Sequence, residues 1–373
     1  MSEPNPNQER PDGLSEGIAQ CSVTCPMCGH RHVQYRMNPQ LYWFTDMDID
    51  RKPTGFHCRK SLEGYYPRLY ELWHCPQCHY TAHNRVFPDP LKHVYIEKGL
   101  VGRRLAEMRN SHPAMGRVTD VLGANTAFEQ IDFITAIRLS LLDIYFQHII
   151  VEMLNQGYEA LARSYLRLAW LHRDWQEMKP DDTASRSQLT QVLDSIQPDW
   201  PDCPRTEEEA LENACTWFAA ALGRTAANQN PVESCSMMVQ VARIRVKMGQ
   251  IDAARTQLNE CHRSIVGDLE TLTREMNADL HTGSLSEEER GRMLSDSRKL
   301  RSMMDECRTL KEDIAKRRLQ EARRRAKKLL AANPKASPAA LRDLLAEAQI
   351  PPDMIREMVP ERKEGLFGGL FGS

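Results

Sequence analysis

Cys25-Pro-Met-Cys28-Gly29 and Cys75-Pro-Gln-Cys78-His79 constrain this chain more than any other feature. Two cysteines three apart in a tight turn aim both sulfurs at one point, and the intervening proline stiffens the turn. The residue after the second cysteine takes φ > 0, which suits Gly29 and is less favourable for His79. Two such knuckles supply four thiolates, the closed tetrahedral set of one structural zinc ion. The spacing therefore predicts Cys25, Cys28, Cys75 and Cys78 as ligands and Zn2+ as the cofactor. Unmetallated cysteines and a metal cluster are the competing readings. Forty-six residues separate Cys28 from Cys75, against about 15–20 in compact ribbons, so an insertion lies between the hairpins. Four protein ligands leave no open position, which argues against metal catalysis here.

Eleven cysteines in 373 residues are an odd number for a secreted disulfide framework. Closely spaced pairs in a reducing compartment read as metal ligands. The first residues, MSEPNPNQERPDGLSEG, lack the apolar core of a signal peptide, and no continuous apolar run of about 18 residues predicts a membrane span. A cytoplasmic location is the expectation. With 49 basic and 51 acidic residues the net charge names no partner, so local charge has to be read instead.

The predicted fold is mainly α: a small zinc-ribbon-like β module, then tetratricopeptide-like helical hairpins, then a C-terminal coiled-coil hairpin. Residues 1–20 are polar and expected to be disordered. Residues 21–90 hold the knuckles and clustered aromatics, with strands expected at His32–Tyr35 and Leu69–His74. Residues 91–124 are read as a connecting segment. From 125 to 266 the periodicity is helical. Capping boxes are expected at Thr126/Glu129 and Thr206/Glu209, a loop-broken stretch at 179–205, and a helix opened by Asn230-Pro231 and closed by Gly249. In 268–331, Met293, Leu300, Cys307 and Ile314 recur every seven residues, a short seam most simply set against Leu269, Leu272, Met276 and Leu280. A small helix pair is expected in 335–360 and a flexible GLFG tail in 361–373.

The pattern CPMCGHRH … RLYELWHCPQCHYTAHNRVF, followed by LARSYLRLAWLHRDW and MMVQVARIRVKMGQIDAARTQL, resembles the bacterial domain of unknown function family 2225 across roughly residues 21–266. The resemblance implies a zinc-ribbon-like N-terminus ahead of a tetratricopeptide-like domain. His79 stands where the family usually has glycine. The family name implies no activity.

Other signals are weaker. Lys316, Arg317, Arg318, Arg323, Arg324, Arg325, Lys327 and Lys328 face one acid, Glu321, over a stripe of Leu319, Ala322, Ala326 and Leu329. Such a run suits phosphate binding, or an ordinary solvated face. The tail residues Leu366, Phe367, Leu370 and Phe371 suit docking into a partner's groove, or have no role. Asp46, Asp48 and Asp50 are spaced like calcium ligands but lack the loop glycine and closing glutamate, so a solvated turn is expected. Cys21, Cys58, His57, His74, His79 and His83 match no ligand pattern, and buried cysteines with exposed histidines are expected. No catalytic motif occurs. The expected function is a non-enzymatic adaptor binding a protein or peptide through helical repeats. The alternative is RNA binding by the ribbon and the basic helix.

Overall fold

The computed structural model describes residues 15–87, 100–126, 131–225, 230–348 and 350–359. It is mainly helical with a small β module at the N-terminal end. The chain divides into two compact units, Met1–Ser264 and Ile265–Ser373.

The first unit opens with three antiparallel hairpins. Strands β1 (Ile18–Thr24) and β2 (Arg31–Met37) flank the first knuckle. Strands β5 (Leu72–His74) and β6 (Thr81–His83) flank the second. The insertion between them is the ribbon β3 (Tyr42–Met47) and β4 (Pro53–Cys58). Each hairpin is its own two-stranded sheet, so side chains join them. Gln34 Nε2 donates to the His74 carbonyl at 2.7 Å, and the His74 amide donates to Gln34 Oε1 at 3.2 Å.

Several local expectations are corrected. The fold starts before residue 21: Ile18 is buried and begins β1. Pro67–Tyr70 forms a 3-10 turn, so only Leu72–His74 of the expected Leu69–His74 strand is extended. The connecting segment contains two helices, α1 (Leu100–Ser111) and α2 (Pro113–Gly123). The Thr126/Glu129 box does not open the next helix. Glu129 lies outside the described residues, and α3 (Phe133–Leu154) is capped by Asp132, which accepts from the Thr135 amide at 2.8 Å. The stretch 179–205 holds a further helix, α5 (Thr183–Ile196), capped by Asp182. Helices this short depend on the surface that receives them.

Helices α3, α4 (Tyr158–Met178), α6 (Glu207–Thr225) and α7 (Pro231–Lys247) pack as successive neighbours, with α5 set aside against α2 and α3. Thr206 Oγ1 accepts from the Glu209 amide, and Asn230 caps α7 with Pro231 in its first turn. Gly249, at φ 76°, turns the chain into α8 (Ile251–Thr282). α3 is long and apolar enough to cross a membrane by length and composition, but most of it is interior.

One apolar cluster runs through the first unit, from Cys25, Met27 and Tyr80 to Leu139, Phe146 and Leu168. The Tyr80 and Phe146 rings lie 5.2 Å apart. The knuckle hairpins and the helices therefore share one core.

In the second unit, Ser286 and Glu289 form a complete capping box at the start of α9 (Glu287–Ala332). Asp279 accepts from the Leu285 amide at 2.7 Å and from Arg290 Nε at 2.5 Å, which fixes the turn between α8 and α9. Of the expected seam, Leu300, Cys307, Leu310 and Ile314 are buried and Leu269, Leu272 and Met276 half-buried. Leu280 departs from it at 81% exposure, because Asp279 occupies the inward position beside the turn. Helices α10 (Pro338–Glu347) and α11 (Pro352–Met358) close a separate small core around Ala322 and Ala326.

Candidate metal centre

The two knuckles have the same backbone geometry. The Cys25 amide donates to the His30 carbonyl at 2.9 Å, and the Gly29 amide to the Cys25 carbonyl at 2.9 Å. The Cys75 amide donates to the Tyr80 carbonyl at 2.8 Å, and the His79 amide to the Cys75 carbonyl at 2.9 Å. Gly29 at φ 76° and His79 at φ 62° both adopt the left-handed conformation that the turn requires. His79 thus accepts the strain that a glycine avoids.

These turns bring Cys25, Cys28, Cys75 and Cys78 together, with all four sulfurs within 4.8 Å of one another. Cys25 Sγ lies 3.5 Å from Cys78 Sγ, and Cys28 Sγ lies 3.5 Å from Cys75 Sγ. A tetrahedral site with bonds of about 2.3 Å has sulfur–sulfur edges of about 3.8 Å, so the set fits a thiophilic ion with little adjustment. Hydrogen bonds from Cys25 and then Cys78 pull the Cys75 thiol far down, while contacts with Cys25 and then Cys75 push Cys78 up. A bound cation would favour the joint ionisation of such a set. No other group of three or more such ligands occurs among the described residues.

The remaining cysteines and histidines of the module stay outside this set. Cys21 and Cys58 are half-buried and His57 is exposed. The expectation of exposed histidines fails at His74, which has no exposed surface. Its Nδ1 pairs with Thr81 Oγ1 at 2.7 Å, and its Nε2 meets His79 Nδ1 at 3.3 Å. Burial pushes His74 down to about 3 and also lowers His79. Both rings serve the packing around the second knuckle.

Helices α1 and α2 cover the knuckles, a role the sequence reading missed. Gly102 of α1 sits directly on the Pro26 carbonyl, and Gly123 of α2 on the His79 ring. A Cβ at either position has no room. The available signal was glycine within each helical stretch, Gly102 in α1 and Gly116 and Gly123 in α2, of which Gly102 and Gly123 mark close approach.

The largest correction concerns Asp48 and Asp50, which do not lie in a solvated turn. Asp50 is completely buried and Lys52 is 1% exposed. Arg173 of α4 meets Asp50 through two nitrogens at 3.2 and 2.9 Å, Asp48 at 2.8 Å and Glu207 at 2.5 Å. Trp170 Nε1 donates to Asp50 Oδ2 at 3.0 Å, and Lys247 Nζ to Asp48 Oδ2 at 2.6 Å. Gln240 and Arg243 of α7 donate to the backbone carbonyls of Asp50 and Ile49. Lys52 and Arg68 converge on Asp174 at 2.7 and 2.6 Å. Burial penalises the Asp48 carboxylate most, but the Lys247 hydrogen bond, the Ile49 amide and the charges of Lys247 and Arg173 together outweigh it and hold the group below its usual range. The β3–β4 turn is therefore pinned by ion pairs to α4 and α7, and Glu207 of α6 joins through Arg173. The pairs saturate one another, and the constellation reads as a fastening.

The eight cations from Lys316 to Lys328 all lie exposed on α9. Leu366, Phe367, Leu370 and Phe371 lie outside the described residues. No curated protein and no solved structure matches the chain. Residues 18–267, about two thirds of the sequence, match the family described as "Uncharacterized protein conserved in bacteria (DUF2225)". The twin knuckles and the helices built onto them fall inside that span, and the chain belongs to this family.

Proposed function

We propose that this protein is a non-enzymatic adaptor of the cytoplasm, stapled by one structural zinc ion, that meets a protein partner on the outer face of the β3–β4 ribbon. Zinc is the ion that a closed four-thiolate tetrahedron suits, and such a site contributes folding energy. All eleven cysteines are free, which fits a reducing compartment. The acidic and basic groups around Asp50 and Asp174 pair with one another.

The observation that carries the reading is the ribbon's two-sidedness. Its turn and inner face are fixed, with Asp50 buried and Phe56 packed 5.2 Å from Tyr66. Trp43 and Met47, on the opposite face of β3, are 51% and 70% exposed. A rigidly held exposed Trp and Met suit an interface, where aromatic residues and Met are enriched. The helices α3, α4, α6 and α7 supply the scaffold.

The test is affinity purification of the tagged full chain from its native cell, beside a Trp43→Ala/Met47→Ala variant and a chain lacking residues 365–373. A partner retained by the parent and lost from the ribbon variant is the expected result. Identical co-purifying sets for parent and ribbon variant would sink the ribbon as the interface.

A further inference from the structure

The basic run of α9 sharpens once its partners are counted. Lys316 pairs with Asp313 at 3.6 Å and Arg323 with Glu357 at 3.4 Å, and Arg318 and Arg325 also have partners. Arg317, Arg324, Lys327 and Lys328 make no ion pair or hydrogen bond with another described residue. At about 100° per residue, these four fall within an arc of about 100° on the helix side roughly opposite the buried edge of Ala322 and Ala326. From Arg317 to Lys328 they span about 16 Å of helix axis. Like charges one turn apart destabilise a helix by a few tenths of a kcal/mol per pair. This row thus holds a repulsion that a polyanion relieves.

The helix is also held in place. Ala322 and Ala326 are covered by Leu345, Ile350, Met354 and Ile355 of the α10–α11 cap. That cap removes the apolar stripe that a membrane-surface helix would insert. Leu319, at 44%, is the one large apolar side chain of the segment well exposed among the described residues. No aromatic residue lies between Lys316 and Lys328 to stack on unpaired bases. A straight row of unpaired cations without stacking groups or an insertion face suits the phosphates of a double helix. Duplex DNA presents one charge per about 1.7 Å of axis, so the row spans about ten phosphate charges.

We infer that the Arg317–Lys328 face of α9 binds double-stranded nucleic acid through its phosphates, without reading sequence. This inference is independent of the ribbon interface proposed above.

Fluorescence anisotropy of the full chain with a labelled random-sequence DNA duplex, titrated with NaCl, tests it. With about four phosphate contacts, log affinity falls against log salt with a slope of about −3 to −4, about a hundredfold between roughly 50 and 200 mM. Arg317→Gln/Arg324→Gln/Lys327→Gln/Lys328→Gln should lose more than about tenfold in affinity at low salt and flatten the slope. Gln and Arg have similar helix propensity, and circular dichroism checks that the helix persists. A charge-retaining Arg317→Lys/Arg324→Lys variant should keep the slope. Three results overturn the inference. One is an equal loss when Arg274, Arg292, Arg298 and Arg301 are neutralised instead. Another is tighter binding of a single strand than of the duplex. The last is binding to phosphatidylserine vesicles with none to the duplex.

Discussion

Arg173 grips Asp50 through both terminal nitrogens, at 3.2 and 2.9 Å, across 123 residues of sequence. One partner comes from the turn of a β-ribbon inserted between two metal knuckles, and the other from the middle of a core helix. Asp50 is wholly buried, so neither charge has water to fall back on. Removing one partner of a buried pair strands the other and costs about 3–5 kcal/mol. Arg173→Met is expected to destabilise the first unit by about that amount, read as a lower urea midpoint. Lys247→Met, which removes a partly exposed partner of Asp48, should cost well under half as much.

The metal centre makes a separate prediction. If residues 21–90 were the separate module that the sequence predicts, Cys25→Ser or Cys78→Ser would unfold that module alone. The shared core changes that expectation. Tyr80 packs on Phe146, and the knuckles carry α1 and α2, so loss of the ion should unfold module and helices together. Metal analysis should find one zinc per chain in the parent. For Cys78→Ser, ellipticity at 222 nm should be lost at a lower temperature than in the parent. A variant that lost zinc with an unchanged helical transition would contradict the shared core.

Gly102 offers a test of the cover over the first knuckle. Alanine there sets a Cβ onto the Pro26 carbonyl, and backbone cannot move aside as a flexible side chain does. Gly102→Ala should cost about 1–3 kcal/mol by overpacking, although alanine is otherwise the better helix former. Gly116→Ala, where a Cβ meets nothing, should be neutral or stabilising. Chemical denaturation of the two variants side by side decides this.

Two half-buried histidines predict an acid-side loss of stability. Burial pushes His148 down to about 4, with its Nε2 against the Tyr165 hydroxyl at 2.7 Å. Burial likewise pushes His172 down to about 4, and its Nε2 is sealed from solvent without a hydrogen-bond partner. An unfolded histidine takes its proton near pH 6.5, so between about 6.5 and 4 the unfolded chain binds more protons than the folded one. Stability is then full above the unfolded value and falls as pH drops through this window. Each group contributes up to about 3 kcal/mol. Folding free energies measured across the window should decline for the parent and decline less for His172→Gln.

The sequence by itself determined the convergence of the four cysteines, the helical class of the remainder and several helix ends. Each of these is a local property. A CxxC turn converges its own two sulfurs, Ser286 and Glu289 cap the helix they begin, and Gly249 is the residue that can turn left-handed after α7. Tertiary structure decided the rest, because it depends on what lies opposite each residue. Asp48 and Asp50 read as a solvated turn, since nothing near them in sequence reveals Arg173, Lys247 or Trp170 waiting on distant helices. The stretches holding α1, α2 and α5 read as connectors or loops because helices this short gain their stability from the surface that receives them. The four cysteines look like the staple of a separate module in the sequence. Only the continuous core, running from Tyr80 into Phe146, makes them part of the same folded body as the helices.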